Sequence, residues 1–495
     1  MASPKSNLAM LTKQSERYWL LGGQRACLAL FQRAARAVPA YKDFLKKYRF
    51  NPARIRTWKD WAEVPVVTKK NYLYHYPLQK LCWNGKLTSS MVFTASSGST
   101  GQSVYFPRDT ALDKQSAVLH QLFLDYTAGS SKRSTLIIDC FGMGVWIGGL
   151  ITYQAFKHIT EQGLPLSIIT PGINKAEIFA ALKHVAPKFD RVVVCGYPPF
   201  LKRLFDEARE EGIRFKSSQL KLIFAAEGFS EQFRDHVART VGVKNVLTDT
   251  TNIYGSADLG TMALETPLSI FLRRKAIGKK TLYADLFSAG ERLPTFAQFN
   301  PLFTQFECLN GEILCTGYSA LPLIRYAIGD HGFVMPFSAV ERQSEKNKIN
   351  FKKELSKVGI ANTVIRWPFV GVYERSDFST KLYGAIIYPE HLRDALHHSA
   401  MVPFLTGRFT LATQYDEKHN QYLEVHLELK RHRQAHGTLE KEAQKLIVEH
   451  LLKKNAEYRN NASVIPHLVK PRIVFWDYEH PTHFSVSGKH RWIKK

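Results

Sequence analysis

Apolar residues recur at helical spacing through the first eighty positions, most clearly in RACLALFQRAARAVPAYKDFLKKY (25–48). This pattern predicts amphipathic helices that end near FNPARI (50–55). From residue 90 to 260, short β-rich apolar runs alternate with helical stretches; the runs are TLIID (135–139), LSIIT (166–170), RVVVCG (191–196) and LKLIFAA (220–226). Strands and helices that alternate at this spacing predict a parallel sheet with helical crossovers.

The pattern changes twice more along the chain. Between 262 and 336 the apolar runs are short and separated by turns, which predicts a β-rich subdomain; they include TLYADLF (281–287), GEILCTG (311–317) and FVMPF (333–337). The lysine-rich segment 338–362 predicts an insertion or an exposed helix. After Trp367 come a strand pair (408–416 and 421–430), a long helix (438–455) and a further strand (472–479), typical of a small α+β domain.

The predicted fold class is therefore α/β. We expect a large N-terminal domain, residues 1–372, with mixed or parallel sheets and a β-rich subdomain, followed by a small mobile α+β C-terminal domain, residues 373–495. With 45% hydrophobic residues among 495, the chain can bury a sizeable core. No apolar run approaches 18 residues, so a cytoplasmic location without membrane association is predicted. Six scattered cysteines, without a C-x-x-C pair, favour reduced and partly buried thiols over disulfides or zinc.

The net charge of +25 favours acidic partners. Basic residues cluster at 271–280, 345–357, 428–436 and 489–495. These clusters fit solvated faces, or surfaces for acidic proteins, nucleotides, nucleic acid or anionic membrane. No zinc-finger, leucine-zipper or RNA-recognition pattern accompanies them, which disfavours nucleic acid as the partner.

A loop rich in serine, threonine and glycine, SSGSTG (96–101), is the first candidate for chemistry. Small residues let backbone N–H groups converge, and hydroxyls add donors that suit phosphate oxygens. The loop lacks the lysine that follows the second glycine of a Walker motif, since Gly101 is followed by Gln102. Taken alone, such a loop is more often an ordinary turn or linker than a phosphate site.

Further polar loops follow predicted strands, where ligands bind in α/β sheets. FAAEGFSE contains Ala226, Glu227 and Gly228; IYGSADLG contains Tyr254, Gly255 and Asp258; LIRYAIGDHG contains Arg325 and Asp330; and the last segment, SVSGKHRWIKK, contains Lys489. Carboxylates at strand ends can bind ribose hydroxyls or Mg²⁺, and a lysine on a glycine-flanked loop can reach a phosphate. Each residue taken alone also fits a turn, a cap, a core tyrosine or a solvated lysine.

The order of these motifs along nearly the whole chain resembles the acyl-adenylate-forming enzymes. The series runs from the Ser/Thr/Gly loop through Y-G-x-x-acid, R-Y-x-x-G-D and R-S-D-x-x-x-K-x-x-G to the final G-K. Within that superfamily the chain is most similar to the phenylacetate–CoA ligase branch, which includes CapK-type proteins. IRTWKDWAEVPVVTKKNYLYHYP, LKLIFAAEGFSEQFRDHV and NGEILCTGYSALPLIRYAIGDHG are the segments that resemble that branch.

The resemblance implies a role for each matching residue. The loop that handles the β- and γ-phosphates of ATP would contain Ser96, Ser97, Gly98, Ser99, Thr100 and Gly101. The adenine would be flanked by Ala226, Glu227 and Gly228, with Tyr254 stacked near it, and Gly255 would also belong to the cofactor site. Asp258 would bind Mg²⁺ and Asp330 the ribose hydroxyls.

The same resemblance assigns roles near the C-terminus. Arg375 would contact the nucleotide, Asp377 would act as the domain hinge, and Lys489 would bridge the α-phosphate and the acyl carboxylate. Lys381 and Gly384 would lie on a loop that turns toward the active site. The acyl pocket would include Phe141, Trp146 and Tyr197, each of which also fits core packing.

The chain departs from the family pattern at several motif positions. Gly101-Gln102-Ser103 stands where Gly-Lys-Pro is common, which removes one positive charge, and Asp258 replaces a glutamate. Glu374 occupies a usual glycine position, and residues 338–368 lengthen the segment before the hinge. These departures are also consistent with an alternative interpretation, in which the chain is a catalytically degenerate member that binds polyanions.

The expected function is ATP-dependent activation of a carboxylic acid, aryl or related, as acyl-AMP with release of pyrophosphate. Transfer to a thiol follows, with coenzyme A as the expected acceptor and an acidic carrier protein as the other thiol partner. The alternatives are an amide or ester synthetase and a loader of a carrier protein. ATP and Mg²⁺ are the cofactors that the resemblance implies.

Overall fold

The computed structural model describes residues 7–87, 91–95, 104–127, 132–144, 147–214, 219–287, 293–373, 380–383, 385–416, 421–485, 492 and 493. Its strands are β1 Val92–Ala95, β2 Tyr105–Arg108, β3 Thr135–Asp139, β4 Leu166–Ile169, β5 Arg191–Gly196, β6 Leu220–Ala225, β7 Thr250–Ser256, β8 Gly260–Leu264, β9 Thr295–Gln298, β10 Thr304–Leu309, β11 Glu312–Gly317, β12 Leu323–Met335, β13 Phe369–Tyr373, β14 Thr380–Leu382, β15 Ala385–Ile387, β16 Leu405–Tyr415, β17 Gln421–Leu429 and β18 Arg472–Trp476.

α-Helices connect and flank these strands. They are α1 Asn7–Leu11, α2 Glu16–Ala37, α3 Pro39–Lys47, α4 Leu78–Leu81, α5 Thr110–Asp125, α6 Ile147–Glu161, α7 Lys175–Ala180, α8 Pro198–Glu210, α9 Glu231–Val241, α10 Val246–Asp249, α11 Pro267–Ile277, α12 Lys280–Phe287, α13 Phe337–Lys346, α14 Phe351–Lys357, α15 Pro389–Leu396, α16 Gly437–Lys454, α17 Ala456–Val464 and α18 Pro466–Val469.

One sheet of eleven strands runs through the large N-terminal part, in the order β10-β11-β12-β13-β9-β8-β7-β6-β5-β3-β4. Strands β3 to β7 are parallel to one another, and the pairs from β7 to β10 along the sheet are antiparallel. The mixed α/β fold expected from the sequence is confirmed. The predicted parallel sheet and β-rich region are two halves of this one sheet.

The parallel register brings the candidate loops to one edge. Asp139 at the end of β3 is opposite Cys195 of β5, Gly196 is opposite Phe224 of β6, and Ala225 is opposite Ile253 of β7. The residues that follow these strands therefore leave the sheet side by side. This edge is where ligands bind in open α/β sheets.

The prediction of a β-rich run at TLYADLF (281–287) is wrong, because these residues form most of α12. Leu282, Leu286 and Phe287 are buried at helical spacing against Leu268 of α11 and Phe296 of β9. Burial of these three apolar side chains on one helical face stabilises the helix more than the β propensity of a short run favours a strand.

The lysine-rich segment 338–362 contains α13 and α14, so the helical alternative is confirmed. Val340, Phe351 and Leu355 are buried in the same apolar cluster as Phe369 of β13. The lysines of these helices occupy the opposite, solvated face, as amphipathic helices require.

Residues 380–493 have a core of their own. Strand β17 pairs antiparallel with β16 and parallel with β18, which confirms the predicted strand pair. Helix α16 packs Leu439, Ala443 and Ile447 into a cluster with residues of β16 and β17. We call residues 380–493 the C-terminal unit; the predicted boundary between 372 and 373 stays a prediction, because residues 374–379 lie outside the described ranges.

Cysteine burial follows the sequence-based expectation in part. Five of the six cysteines are buried and Cys308 is exposed. Among the helices in the described ranges, none combines the length and the apolar character needed to cross a membrane. The cytoplasmic location stays a prediction.

Candidate active site

The hairpin β1–β2 brackets the Ser/Thr/Gly loop, whose candidate residues 96–101 lie outside the described ranges. Thr94 is fully buried in β1, and its hydroxyl donates a hydrogen bond to the carbonyl of Ala257 at 3.3 Å. This contact places the base of the loop beside the turn that carries Asp258. Two of the predicted motifs therefore meet at their stems.

The other arm of the hairpin is anchored from two sides. Ser319 donates to the carbonyl of Pro107 at 3.2 Å, and Tyr318 donates to the Asp109 carboxylate at 2.6 Å. Arg108 and Asp113 form a buried ion pair at 2.5 Å. Loops can hold ligands precisely only where their ends are fixed, and these bonds fix this end.

Tyr254 and Asp330, predicted on separate motifs, are in contact. The Tyr254 hydroxyl donates to Asp330 Oδ2 at 2.7 Å, and its ring stacks on Phe306 with centroids 5.9 Å apart. Asp330 is 9% exposed and Asp258 is 4% exposed. Burial raises the pKa of the Cys315 thiol, and the nearby charges of Asp330 and Asp258 raise it further. The structure thus brings all three candidate residues to one region.

Arg325, from the same motif as Asp330, points elsewhere. It bonds Glu307 Oε1 at 3.1 Å and the carbonyls of Ala62 and Val64 at 2.8 and 2.5 Å. Its φ of 45° is unusual for a residue with a side chain. Arg325 therefore ties the N-terminal segment to β12 and lies outside the candidate site.

The segment Ala226–Glu227–Gly228 follows β6 at the same edge of the sheet. Asn252 of β7 donates its side-chain amide to the carbonyl of Glu227 at 2.9 Å. Arg393 of α15 donates to the carbonyl of Gly228. Backbone carbonyls held in this way keep one conformation, so the segment is preorganised.

A buried ion network holds Phe229, the residue that follows this segment. Arg234 bonds Glu231 at 2.9 Å and Glu265 at 2.6 Å. Arg273 bonds Glu265 and donates to the carbonyl of Phe229 at 2.7 Å. Burial raises the pKa of Glu231, but Arg234, Arg273 and a third arginine outweigh it and leave that pKa below its ordinary value. The Glu231 carboxylate therefore stays charged within the network that holds the carbonyl of Phe229.

Tyr197 and Glu227, predicted for different parts of the site, share a hydrogen bond. The Tyr197 hydroxyl donates to Glu227 Oε1 at 2.5 Å. The indole of Trp492 donates to the same oxygen from the C-terminal unit. Tyr197 therefore lies beside the predicted adenine segment, while its role in an acyl pocket stays a prediction.

Phe141 lies in the hydrophobic core and is 6% exposed. A Cβ placed at Gly148 would come within 3.2 Å of its ring, so the glycine permits this packing. Trp146, its predicted companion, lies outside the described ranges. The assignment of Phe141 to the acyl pocket stays a prediction.

Asp139, at the end of β3, was not singled out from the sequence. Its Oδ1 accepts the backbone N–H of Phe141 at 3.1 Å, and its Oδ2 is buried with no hydrogen-bond partner among the described residues. Burial raises the pKa of this carboxyl well above its ordinary value. In the sequence, the one sign of this residue is that Asp139 ends the apolar run TLIID, where a polar side chain can face a ligand at the edge of the sheet.

Several predicted residues lie outside the described ranges: Arg375, Asp377, Gly384 and Lys489. Lys381 lies in β14. Trp492, three positions after Lys489, is described, and it contacts Glu227. The roles predicted for these residues stay predictions.

The donor set for Mg²⁺ is small. Within the described ranges, no group of three or more His, Cys, Asp and Glu side chains could hold a metal ion. Mg²⁺ bound with a nucleotide takes one or two carboxylates together with phosphates and water. A single buried carboxylate at Asp258, next to the stem of the candidate phosphate loop, fits that requirement.

No protein-family model matches the chain. No curated protein is similar enough to count as a match. Solved structures do match. A 2-hydroxyisobutyryl-CoA ligase in the postadenylation state, in complex with R3-HIB-AMP, is 14% identical with a TM-score of 0.64, and the match covers 97% of this chain and 89% of that chain.

Two further solved structures extend the comparison. The same ligase with 2-HIB-AMP and CoA, in the thioesterification state, is 15% identical with a TM-score of 0.53, covering 98% and 90% of the two chains. An acyl acid amido synthetase in complex with 2,4-DB is 13% identical with a TM-score of 0.59, covering 99% and 93%. At such identities the likeness shows the fold. The chain has the fold of adenylate-forming ligases.

Proposed function

We propose that this protein activates a carboxylic acid with ATP, forming acyl-AMP and pyrophosphate, and then transfers the acyl group to a thiol. Two observations carry the proposal: Tyr254 bonds Asp330, and Thr94, at the stem of the 96–101 loop, bonds Ala257, which directly precedes Asp258. The fold shared with a CoA ligase bound to an acyl-AMP supports it. The phenylacetate–CoA ligase branch is the finer part of the proposal.

The first step forms an acyl phosphate bond and breaks a phosphoanhydride bond. The substrate carboxylate attacks the α-phosphorus of ATP, and pyrophosphate leaves. Asp330 accepts hydrogen bonds from the ribose hydroxyls, and the 96–101 loop holds the leaving phosphates. Lys489 stabilises the charge that develops in the transition state. Asp258 would hold Mg²⁺, which when bound would neutralise further charge on the phosphates.

The second step transfers the acyl group. A thiol attacks the acyl carbonyl, AMP leaves, and the thiol proton passes to solvent. The C-terminal unit turns about Asp377 between the steps, which withdraws Lys489 and presents the loop of Lys381 and Gly384. Such rearrangements complete a second constellation in one active site.

Coenzyme A is the proposed acceptor, and an acidic carrier protein is the other thiol acceptor. The basic clusters 271–280 and 345–357 support an acidic partner because the fold joins them. Lys275 pairs with Glu354 at 2.9 Å, and Lys279 donates to the carbonyl of Asn347. Two sequence clusters thus form one basic surface, which favours encounter with phosphates or carboxylates.

An amine acceptor is the second candidate, because the amido synthetase shares the fold over nearly the whole chain. The test must therefore compare thiol and amine acceptors. Product analysis with CoA, free amino acids and an acidic carrier protein separates thioester from amide formation.

The deciding experiment measures pyrophosphate release from purified protein, ATP and Mg²⁺ with a library of aryl and related acids. Acid-dependent release, with acyl-AMP identified by mass spectrometry, is the expected result. If no acid supports release and the protein instead binds nucleic acid in a strongly salt-dependent manner, the chain is the degenerate polyanion-binding member.

A further inference from the structure

Trp492 joins the C-terminal unit to the segment that follows β6. Its indole N–H donates to Glu227 Oε1, and its side chain is 3% exposed. From its own unit, Trp492 packs on Phe409 of β16 with ring centroids 4.8 Å apart, and its carbonyl accepts the N–H of Leu411 at 2.7 Å. The indole is therefore held rigidly where it meets Glu227.

Arg393 strengthens the same contact from α15. Its guanidinium lies 4.6 Å from the centre of the Trp492 ring and donates to the carbonyl of Gly228. One cation thus holds both the indole and the backbone of the segment beyond it. A cation over an indole ring is a favourable arrangement, more so when both groups are shielded from water.

The rest of the interface is charged and largely buried. Lys175 and Arg203 of the large part both contact Glu479 of the C-terminal unit, Arg203 at 3.3 Å. Lys430 lies 3.6 Å from Asp206. Buried ion pairs lose much of their favourable energy to desolvation, so they fix orientation more than they add affinity. The contacts to Glu227 and Gly228 then decide whether the unit stays docked over the candidate nucleotide segment.

Chain connectivity ties this docking to Lys489. Lys489, the residue proposed to act in acyl-AMP formation, stands three positions before Trp492 in the sequence. We therefore expect a change in the docking of Trp492 to affect the half-reaction that uses Lys489.

We propose that Trp492 and Arg393 are positioning residues that hold the C-terminal unit in the arrangement for acyl-AMP formation and must release it before acyl transfer. This inference rests on the proposed function. The contacts to Glu227 and Gly228 belong to the docked arrangement proposed for acyl-AMP formation. The two half-reactions should therefore depend differently on Trp492 and Arg393.

The kinetic test compares Trp492→Phe with Trp476→Phe. The first variant keeps an aromatic ring but removes the N–H that reaches Glu227. The second removes an indole N–H that donates to His426 at 2.9 Å, a contact within the C-terminal unit. Acyl-AMP formation is measured by pyrophosphate release, and acyl transfer by consumption of synthetic acyl-AMP, with the acid found in the library screen.

We expect Trp492→Phe to slow acyl-AMP formation about tenfold, as loss of a hydrogen bond to a charged acceptor does, and to leave acyl transfer at or above the parent rate. Trp476→Phe should leave both rates near those of the parent. Arg393→Lys should act like Trp492→Phe, since lysine lacks the planar group. Equal loss in both half-reactions, or loss in neither, overturns the inference.

A second readout does not depend on catalysis. Cys308 is exposed and the other five cysteines are buried, so Thr438→Cys, at an exposed position near the start of α16, adds one further accessible site for a dye. Energy transfer between dyes at these positions reports docking of the C-terminal unit. We expect Trp492→Phe to change the transfer efficiency and Trp476→Phe to leave it unchanged.

The two readouts separate the inference from the proposed function. A changed transfer efficiency in a protein that forms acyl-AMP from no acid supports the docking role and refutes the proposed function. Acyl-AMP formation with unchanged efficiency in Trp492→Phe refutes the docking role alone.

Discussion

Replacing Asp330 with alanine tests the candidate nucleotide site most directly. Its carboxylate is 9% exposed and accepts the Tyr254 hydroxyl at 2.7 Å, so its position is already fixed before any ligand binds. A fixed acceptor loses little freedom when a ribose hydroxyl arrives. Asp330→Ala should therefore weaken ATP binding without changing the shape of the neighbouring strands.

The magnitude follows from the hydrogen bonds that Asp330 can make. A bond to a charged acceptor contributes about 1.5–3 kcal/mol, and competition from water lowers the sum for two ribose hydroxyls to about 1–3 kcal/mol. The dissociation constant of ATP should rise by roughly 5- to 150-fold. Tyr254→Phe keeps the ring on Phe306 and removes a neutral donor, so it should cost about 1 kcal/mol.

Calorimetry with ATP and Mg²⁺ measures these constants for the parent, the two single variants and the double variant. Contacting residues couple, so the double variant should lose less than the sum of the single losses. Asp285→Ala is the matched control, because Asp285 of α12 bonds Lys346 and Asn347 at the end of α13, a surface assigned no role in ATP binding. Equal ATP affinity in Asp330→Ala and the parent would remove Asp330 from the site.

Four further outcomes are expected. Lys489→Ala should slow acyl-AMP formation by a few hundred-fold, about 3–4 kcal/mol, and spare consumption of synthetic acyl-AMP, whereas Lys494→Ala should be near neutral in both assays. The apparent acceptor affinity should weaken as salt rises toward 1 M, where the Debye length is about 3 Å; an unchanged affinity would count against an acidic partner. Glu265→Gln, in the buried ion network, should lower the free energy of unfolding by about 3–5 kcal/mol in urea, whereas Glu354→Gln, in a solvent-screened pair with Lys275, should change it little. Burial lowers the pKa of His120 from 6.5 to about 4, so as the pH falls the unfolded chain binds this proton before the folded chain does. The free energy of unfolding should therefore fall by about 3 kcal/mol as the pH is lowered from 6.5 to 4, and His120→Leu should show a flatter pH profile.

The central strands were predictable because full burial gives an unbroken apolar run. TLIID and RVVVCG match β3 and β5 residue for residue, and both strands are buried along their whole length. The error at 281–287 has the opposite cause. A short run such as TLYADLF contains apolar residues that suit a strand or a helical face, and only its contacts with Leu268 and Phe296 decide between them.

The site was predictable where its residues follow strands, and hidden where they come from distant elements. Tyr254 and Asp330 carry motif signals and do meet. Asn252, Arg273 and Arg393 hold the carbonyls of residues 227–229, yet nothing in their neighbouring sequence marks them. A side chain that binds a backbone carbonyl recognises a position in space, and that position depends on the whole sheet.

Motif residues also differ in what the fold itself requires of them. A Cβ at Gly255 would lie 2.7 Å from the carbonyl of Gly260, so the β7–β8 hairpin alone demands glycine there. Ala226 is the reverse case: its φ is 78°, a left-handed conformation that costs an alanine roughly 1–2 kcal/mol, and it is exposed. The bonds to the carbonyls of Glu227, Gly228 and Phe229 hold this strain in place. Packing thus accounts for Gly255, whereas the exposed and strained Ala226 supports the proposal that a ligand binds at the end of β6.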